Sequence, residues 1–212
     1  MAADRSEEAP SLGVFRPPLT GDLGRLERIV KPAGPVGGTR RLEGVHSGAT
    51  LDWMRLFRPY PRISFARPAD AAELSELYAR SWSGIATQLE PEVLAEIMPS
   101  TAEVEAWFRG GFEVYRASFD GELAGVVRVS FPTGAAMLDR LAVAPEQRRK
   151  GVGRALVEHA VNRGRKAGVT RAWVPLWPQL EDAMALHQAV GFRESLRHPG
   201  PGGELVLLEL PL

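Results

Sequence analysis

The 212-residue sequence has no cysteine, which excludes disulfides, thiolate metal sites and a cysteine nucleophile and fits a reducing, cytoplasmic compartment. It has no charge surplus either, since 26 Lys and Arg offset 26 Asp and Glu. A general nucleic-acid or membrane-surface binder depends on a large basic excess, so neither partner is expected. No apolar run approaches the roughly 20 residues of a membrane-spanning helix. The opening Met1-Ala2-Ala3-Asp4-Arg5-Ser6-Glu7-Glu8 lacks the basic and then apolar order of a secretory signal. His46, His159 and His198 are scattered without ligand spacing, so no metal is expected. There is no internal repeat.

With 44% hydrophobic residues, the chain can bury one sizeable core and carry an extension. Residues 1–62 form that extension, broken by Arg16-Pro17-Pro18, Lys31-Pro32-Ala33-Gly34-Pro35 and Gly37-Gly38, which rule out long regular elements. Two short helices are expected there, one over Gly21 to Val30 and one over Leu51 to Phe57. The segment is either a flexible tail or a docked one, and Trp53, Phe57 and Tyr60, costly as exposed surface, are the argument for docking. It could cover its own domain, a partner or a second copy of the chain in a homodimer.

From Ile63 to Leu212 the rhythm becomes regular. Ile63-Ser64-Phe65-Ala66-Arg67 alternates like a strand, and Pro68-Ala69-Asp70 opens a helix through Leu74, Leu77 and Tyr78. A helical region follows over Pro91 to Arg109, broken near Pro99-Ser100, where Ser100 or Thr101 can cap the second piece. Phe112 to Phe119 and Glu122 to Phe131 flank Asp120-Gly121, a two-residue hairpin link. Met137 to Val143 reads as a strand, Gly151 to Gly168 as an amphipathic helix, Arg171 to Trp177 as a strand and Glu181 to Val190 as a helix. Phe192 to Arg197 and Glu204 to Leu210 close the chain. The order βααβββαβαββ predicts an α/β (α+β) fold: a mixed, mostly antiparallel central sheet with helices on both faces.

The most informative stretch is Arg148-Arg149-Lys150-Gly151-Val152-Gly153-Arg154. It lies where a strand and loop lead into a helix whose first N–H groups have no internal acceptor and carry about half a positive charge. Gly151 and Gly153 allow close approach to the main chain, and Arg148, Arg149, Lys150 and Arg154 surround it with cations. Such an arrangement suits a diphosphate. A Walker A loop needs Gly-x-x-x-x-Gly-Lys-Ser/Thr, which is absent. The third glycine of a dinucleotide fingerprint would fall on Leu156, and the loop from Val143 to Gly151 is too long for its tight turn.

The hexad Arg148-Arg149-Lys150-Gly151-Val152-Gly153 resembles the Gln/Arg-x-x-Gly-x-Gly/Ala motif of the GNAT superfamily of N-acetyltransferases. Leu141-Ala142-Val143-Ala144-Pro145 is similar to that family's fourth strand and turn, and Ala183-Met184-Ala185-Leu186-His187-Gln188-Ala189-Val190-Gly191-Phe192 to its helix ending in Gly-Phe. The resemblance is specific from Met137 to Phe192 and weaker from Ile63. It implies the GNAT fold, acetyl-CoA as cosubstrate and transfer of an acetyl group to a primary amine by direct attack. It also implies that the fourth and fifth strands diverge around the pantetheine arm, a place where Pro175, which cannot donate to a ladder, would fit.

By the same resemblance, the backbone of Leu141, Ala142 and Val143 would hold the pantetheine and thioester carbonyl. The N–H groups from Arg149 through Lys150, Gly151, Val152 and Gly153 to Arg154 would take the pyrophosphate, joined by the Arg148 side chain. Three positions depart from the pattern. Leu180 stands where many members have Asn. His187 replaces the Tyr that protonates the departing thiolate, a task protonated imidazole could perform, although its place beside Ala183, Leu186 and Val190 also suits packing. Pro175 replaces a Glu base of some members, and the fourth-strand Glu of others would fall near Met137, leaving Asp139 and Glu181 as the nearest acidic candidates, Asp139 being equally suited to a structural ion pair. These departures keep open a non-catalytic acyl-CoA sensor. Acceptor contacts would fall to Ser81-Trp82-Ser83-Gly84 and to Arg197 through Glu204, with Trp82, Trp173 and Trp177 as pocket walls or core.

Overall fold

A computed structural model of the chain describes residues 60–212, apart from Ile85, Thr87, Gln88, Asp120, Thr133, Pro201 and Gly202. The helices expected over Gly21 to Val30 and Leu51 to Phe57, with Trp53 and Phe57, lie outside the described residues. No helix among the described residues is long and apolar enough to cross a membrane.

Strand β1 (Arg62–Phe65) leads through a single 3-10 turn into α1 (Ala71–Ser83). The turn starts at Pro68, and Asp70 Oδ2 accepts the Arg67 N–H at 2.7 Å. Ala71, Leu74, Leu77, Tyr78 and Ser81 recur three or four residues apart and form the buried face of α1. The expected break in the next helical region is real: α2 (Pro91–Ile97) and α3 (Thr101–Arg109) are separate helices. Ser100 caps α3, its Oγ accepting the Glu103 N–H at 3.3 Å while Glu103 Oε2 accepts the Ser100 N–H at 2.7 Å. Strands β2 (Glu113–Phe119), β3 (Glu122–Ser130) and β4 (Ala135–Val143) follow, with Phe119 paired to Glu122 across the predicted two-residue link.

Helix α4 (Val152–Lys166), β5 (Arg171–Leu176), α5 (Glu181–Val190), β6 (Arg193–Gly200) and β7 (Gly203–Pro211) complete the chain. The sheet runs β1-β2-β3-β4-β5-β7-β6. Only the β4–β5 neighbours are parallel; the other five pairs are antiparallel, as the expected mixed sheet requires.

Alternation along the strands sends side chains into two cores. One holds Ala117, Val127, Leu138, Val174 and Leu208 with Leu156, Val157 and Val161 of α4 and Phe192. The other holds Val114, Val126 and Ala142 with Leu74, Leu77 and Tyr78 of α1 and Val104 and Trp107 of α3. Helices therefore cover opposite faces, and β4 is gripped from both sides. Leu156 is fully buried, so Leu156→Ala should lower the unfolding free energy by about 2–5 kcal/mol, against about 1 kcal/mol for loss of the cap in Ser100→Ala. Urea denaturation of the two variants checks this ranking.

Candidate functional site

Strand β4 keeps its pairing with β3 up to Gly125↔Val143. Its parallel pairing with β5 ends after Ala135↔Arg171, Ala136↔Ala172 and Met137↔Trp173. Beyond Met137 the two strands separate, because β5 continues beside β7 as far as Leu176↔Val206. Pro175 lies past the last β4–β5 pair, where its missing donor costs nothing on that edge. The result is a notch in the centre of the sheet, bordered by Leu141, Ala142 and Val143.

Within the notch β4 is bulged. Between the pairs Val126↔Ala142 and Arg128↔Asp139, the single residue Val127 faces Arg140 and Leu141 together. Arg140 has φ 53°, a left-handed conformation that costs about 1–3 kcal/mol unless its surroundings hold it. Helix α1 supplies the hold. Tyr78 Oη donates to the Arg140 carbonyl at 2.5 Å, and Ser81 Oγ donates to the Val143 carbonyl at 3.1 Å. Burial, with the neighbouring Asp139 charge, raises the Tyr78 hydroxyl above the ordinary phenol range, so it stays a neutral donor.

The loop from β4 to α4 passes through a 3-10 turn over Pro145–Gln147 and then two left-handed residues, Arg149 (φ 61°) and Gly151 (φ 87°). The first helical N–H with an acceptor in the helix is that of Ala155, bonded to the Gly151 carbonyl at 3.0 Å. Gly151 has no side chain to cap the preceding ones. The N–H groups of Val152, Gly153 and Arg154 thus start the helix without internal acceptors. The two glycines serve different needs. At Gly151 the positive φ excludes most residues, whereas at Gly153 a Cβ would come within 3.1 Å of Leu186 and 3.5 Å of Val143.

The cations are not equivalent. Lys150 Nζ donates to Gln147 Oε1 at 3.1 Å, and Arg154 Nε to Glu158 Oε1 at 2.8 Å. Arg149 lies 3.7 Å from Asp182, both side chains being almost wholly exposed. Arg148 is held by main-chain carbonyls. Its guanidinium turns inward, donating to the Ser81 carbonyl and, at 3.4 Å, to that of Val143. It braces the main chain between α1 and β4.

The two expected catalytic side chains have settled surroundings. Both carboxylate oxygens of Asp139 accept from Arg128, at 2.7 and 2.6 Å. Arg128 lies directly across the ladder and stacks over Phe112 and Trp107 at 4.3 and 4.8 Å. His187 is 1% exposed. Its Nδ1 lies 2.8 Å from the Ala183 carbonyl, so Nδ1 carries the proton, and its ring meets Phe192 edge-on at 5.6 Å. Burial outweighs that bond and pushes the imidazole below its usual value, leaving it neutral at pH 7. Leu180, at the start of α5, is buried and offers no cap. Trp82 and Trp173 keep buried indole N–H groups with no partner among the described residues, and Trp173 stands at the last β4–β5 pair.

The sequence profile of the acetyltransferase (GNAT) family matches residues 71–192. The chain belongs to this family. The match runs from the first residue of α1 to Phe192 and so takes in the notch, the glycine loop and α5. A relative of established activity, the ribosomal protein bS18-alanine N-acetyltransferase of Escherichia coli K12, is 31% identical over 81 residues, or 38% of this chain. The matching segment spans only 55% of that relative's length. Among solved structures, the PaiA N-acetyltransferase of Thermoplasma acidophilum, in complex with coenzyme A, is 18% identical with a TM-score of 0.61, over 72% of this chain and 99% of that one. A GNAT phosphinothricin acetyltransferase of Sinorhizobium meliloti, in complex with acetyl-CoA, is 24% identical with a TM-score of 0.58, over 72% and 88%. These likenesses show the expected GNAT fold.

Tyr78 and Arg128 are site residues that the sequence did not single out, and Ser81, expected among the acceptor contacts, ties the Val143 carbonyl. The available signal was the pair Tyr78 and Ser81, hydroxyl groups one turn apart on the buried stripe of α1.

The neutral His187 of this GNAT chain carries a consequence for stability. An unfolded chain takes up a proton on this imidazole below about pH 6.5, whereas the folded chain resists it, so the stabilisation is complete above that pH and is lost as pH falls. Burial lowers His159 likewise. The melting temperature should therefore drop between about pH 7 and 5, and less steeply in His187→Phe, as differential scanning fluorimetry across pH will show.

Proposed function

We propose that this chain is an N-acetyltransferase that moves an acetyl group from acetyl-CoA to the primary amine of a small molecule, peptide or protein, in a cytoplasmic setting. Residues 63–212 make up the catalytic domain in this reading, and residues 1–62 an extension to it. One observation carries it: β4 loses β5 as a partner after Met137, and the loop beyond Val143 leads on to a helix start with no side-chain cap. An open strand edge continuous with an anion-binding helix end fits a long amide-bearing arm that terminates in a diphosphate.

When bound, acetyl-CoA supplies an acyl group activated as a thioester. The edge of Leu141, Ala142 and Val143 would hold the arm by main-chain hydrogen bonds. The N–H groups from Arg149 to Arg154 would meet the diphosphate, with the Arg149, Lys150 and Arg154 side chains adding charge. Reaction forms one N–C bond and breaks one C–S bond; the amine gives up a proton and the sulfur gains one. The chain's main contributions are orientation and main-chain N–H groups aimed at the developing negative charge on the carbonyl oxygen. Asp139, held at both oxygens, and His187, neutral and packed, support geometry rather than exchange protons, and water carries the proton.

A second reading, an acyl-CoA sensor without turnover, is favoured by those same occupied side chains and by Leu180 and Pro175. Titration calorimetry with acetyl-CoA, followed by a free-thiol assay over a panel of amines and peptides with N-terminal alanine, separates the two. Binding with thiol release is the expected result; binding without release from any acceptor would favour the sensor, and no binding would remove both. Gly151→Val should weaken acetyl-CoA about tenfold or more by straining the left-handed turn. His187→Phe should leave turnover within roughly threefold, whereas loss of a true general acid would cost on the order of a hundredfold.

A further inference from the structure

We propose that Tyr78 is a positioning residue for acyl transfer: by holding the Arg140 carbonyl it sets the peptide unit that presents the Leu141 N–H to the thioester oxygen. This rests on the acetyltransferase reading and names the part of the chain that makes its backbone catalysis work.

Arg140 and Leu141 share Val127 as their one neighbour across the ladder, so one-to-one pairing does not set the peptide unit between them. Arg140 would also relax from φ 53° if nothing retained it. The Tyr78 hydroxyl retains it, at 2.5 Å. The peptide is trans, so its C=O and N–H point in opposite directions. Fixing the oxygen toward α1 therefore turns the Leu141 N–H away from α1.

The donor is itself immobile. Tyr78 is fully buried, and Trp107 packs edge-on against its ring at 5.8 Å and 89°. Trp107 in turn lies under Arg128, which holds Asp139, the residue before Arg140. One turn along α1, Ser81 Oγ ties the Val143 carbonyl, and Arg148 closes the loop by donating to the Ser81 carbonyl. Both ends of the segment 140–143 are thus anchored to one helix face. The carbonyl that the hydroxyl meets belongs to the one positive-φ residue of the strand.

Tyr78→Phe removes the hydroxyl and keeps the ring. Three readouts are taken: amide hydrogen exchange without coenzyme, acetyl-CoA affinity by calorimetry, and steady-state kinetics with an accepted amine. Exchange over residues 140–142 should quicken about tenfold or more, while exchange in α4 stays unchanged. The coenzyme Kd should change by less than about threefold, and kcat should fall on the order of ten- to a hundredfold. Ser81→Ala, which frees the other anchor, should show the same pattern more weakly, and it carries the test if the phenylalanine variant does not fold. Unaltered exchange at 140–142, or kcat within about twofold of wild type despite faster exchange, would overturn the proposal. Failure of the wild-type chain to bind acetyl-CoA would instead overturn the acetyltransferase reading, and the catalytic role of Tyr78 with it.

Discussion

A strand that parts from its neighbour leaves a row of N–H and C=O groups without partners, and in the middle of a sheet that is expensive. Each buried, unsatisfied group costs about 1–3 kcal/mol. Strand β4 accepts this after Met137, while β3 on one side and the helices on both faces keep it in place. The open edge is sustained by the rest of the fold, and the features around it follow from that need. The two cores clamp β4 from opposite faces, and Pro175 removes one donor from the departing strand. The bulge at Arg140 and Leu141 re-aims the main chain within the opening.

The second constraint is the way the glycine loop meets α4. The turn needs left-handed residues at Arg149 and Gly151, and it delivers a helix whose first N–H groups face outward uncapped. The same loop sends Arg148 back to α1, so the helix start, the bulge and α1 are fastened to each other through Ser81 and Val143. The geometry of these segments is mostly main-chain geometry, and it is set without calling on the Asp139 carboxylate or the His187 ring.

Much of this was legible in the residues. Asp120-Gly121 marked the hairpin, Ser100 the cap of α3, the run from Glu181 to Val190 the whole of α5, and Gly151-Val152-Gly153 the helix start. Local chemistry determines all four. What the sequence did not reveal depends on neighbours distant along the chain. An inserted residue leaves no mark in the alternation of β4, so the bulge was invisible. The Tyr78–Arg140 bond joins residues 62 positions apart. That the Arg148 guanidinium meets the Ser81 carbonyl, 67 positions away, and that His187 is buried against Phe192 also depend on the fold. Charge and residue type are local; desolvation is not.

We propose that the β4 edge and the start of α4 form one continuous coenzyme site. Backbone amide NMR during titration of the full chain with acetyl-CoA tests it most directly. The largest shifts are expected together on Leu141 to Val143 and on Arg149 to Arg154, saturating at the same ligand concentration. Large shifts confined to another face of the sheet, or at only one of these two segments, would contradict it.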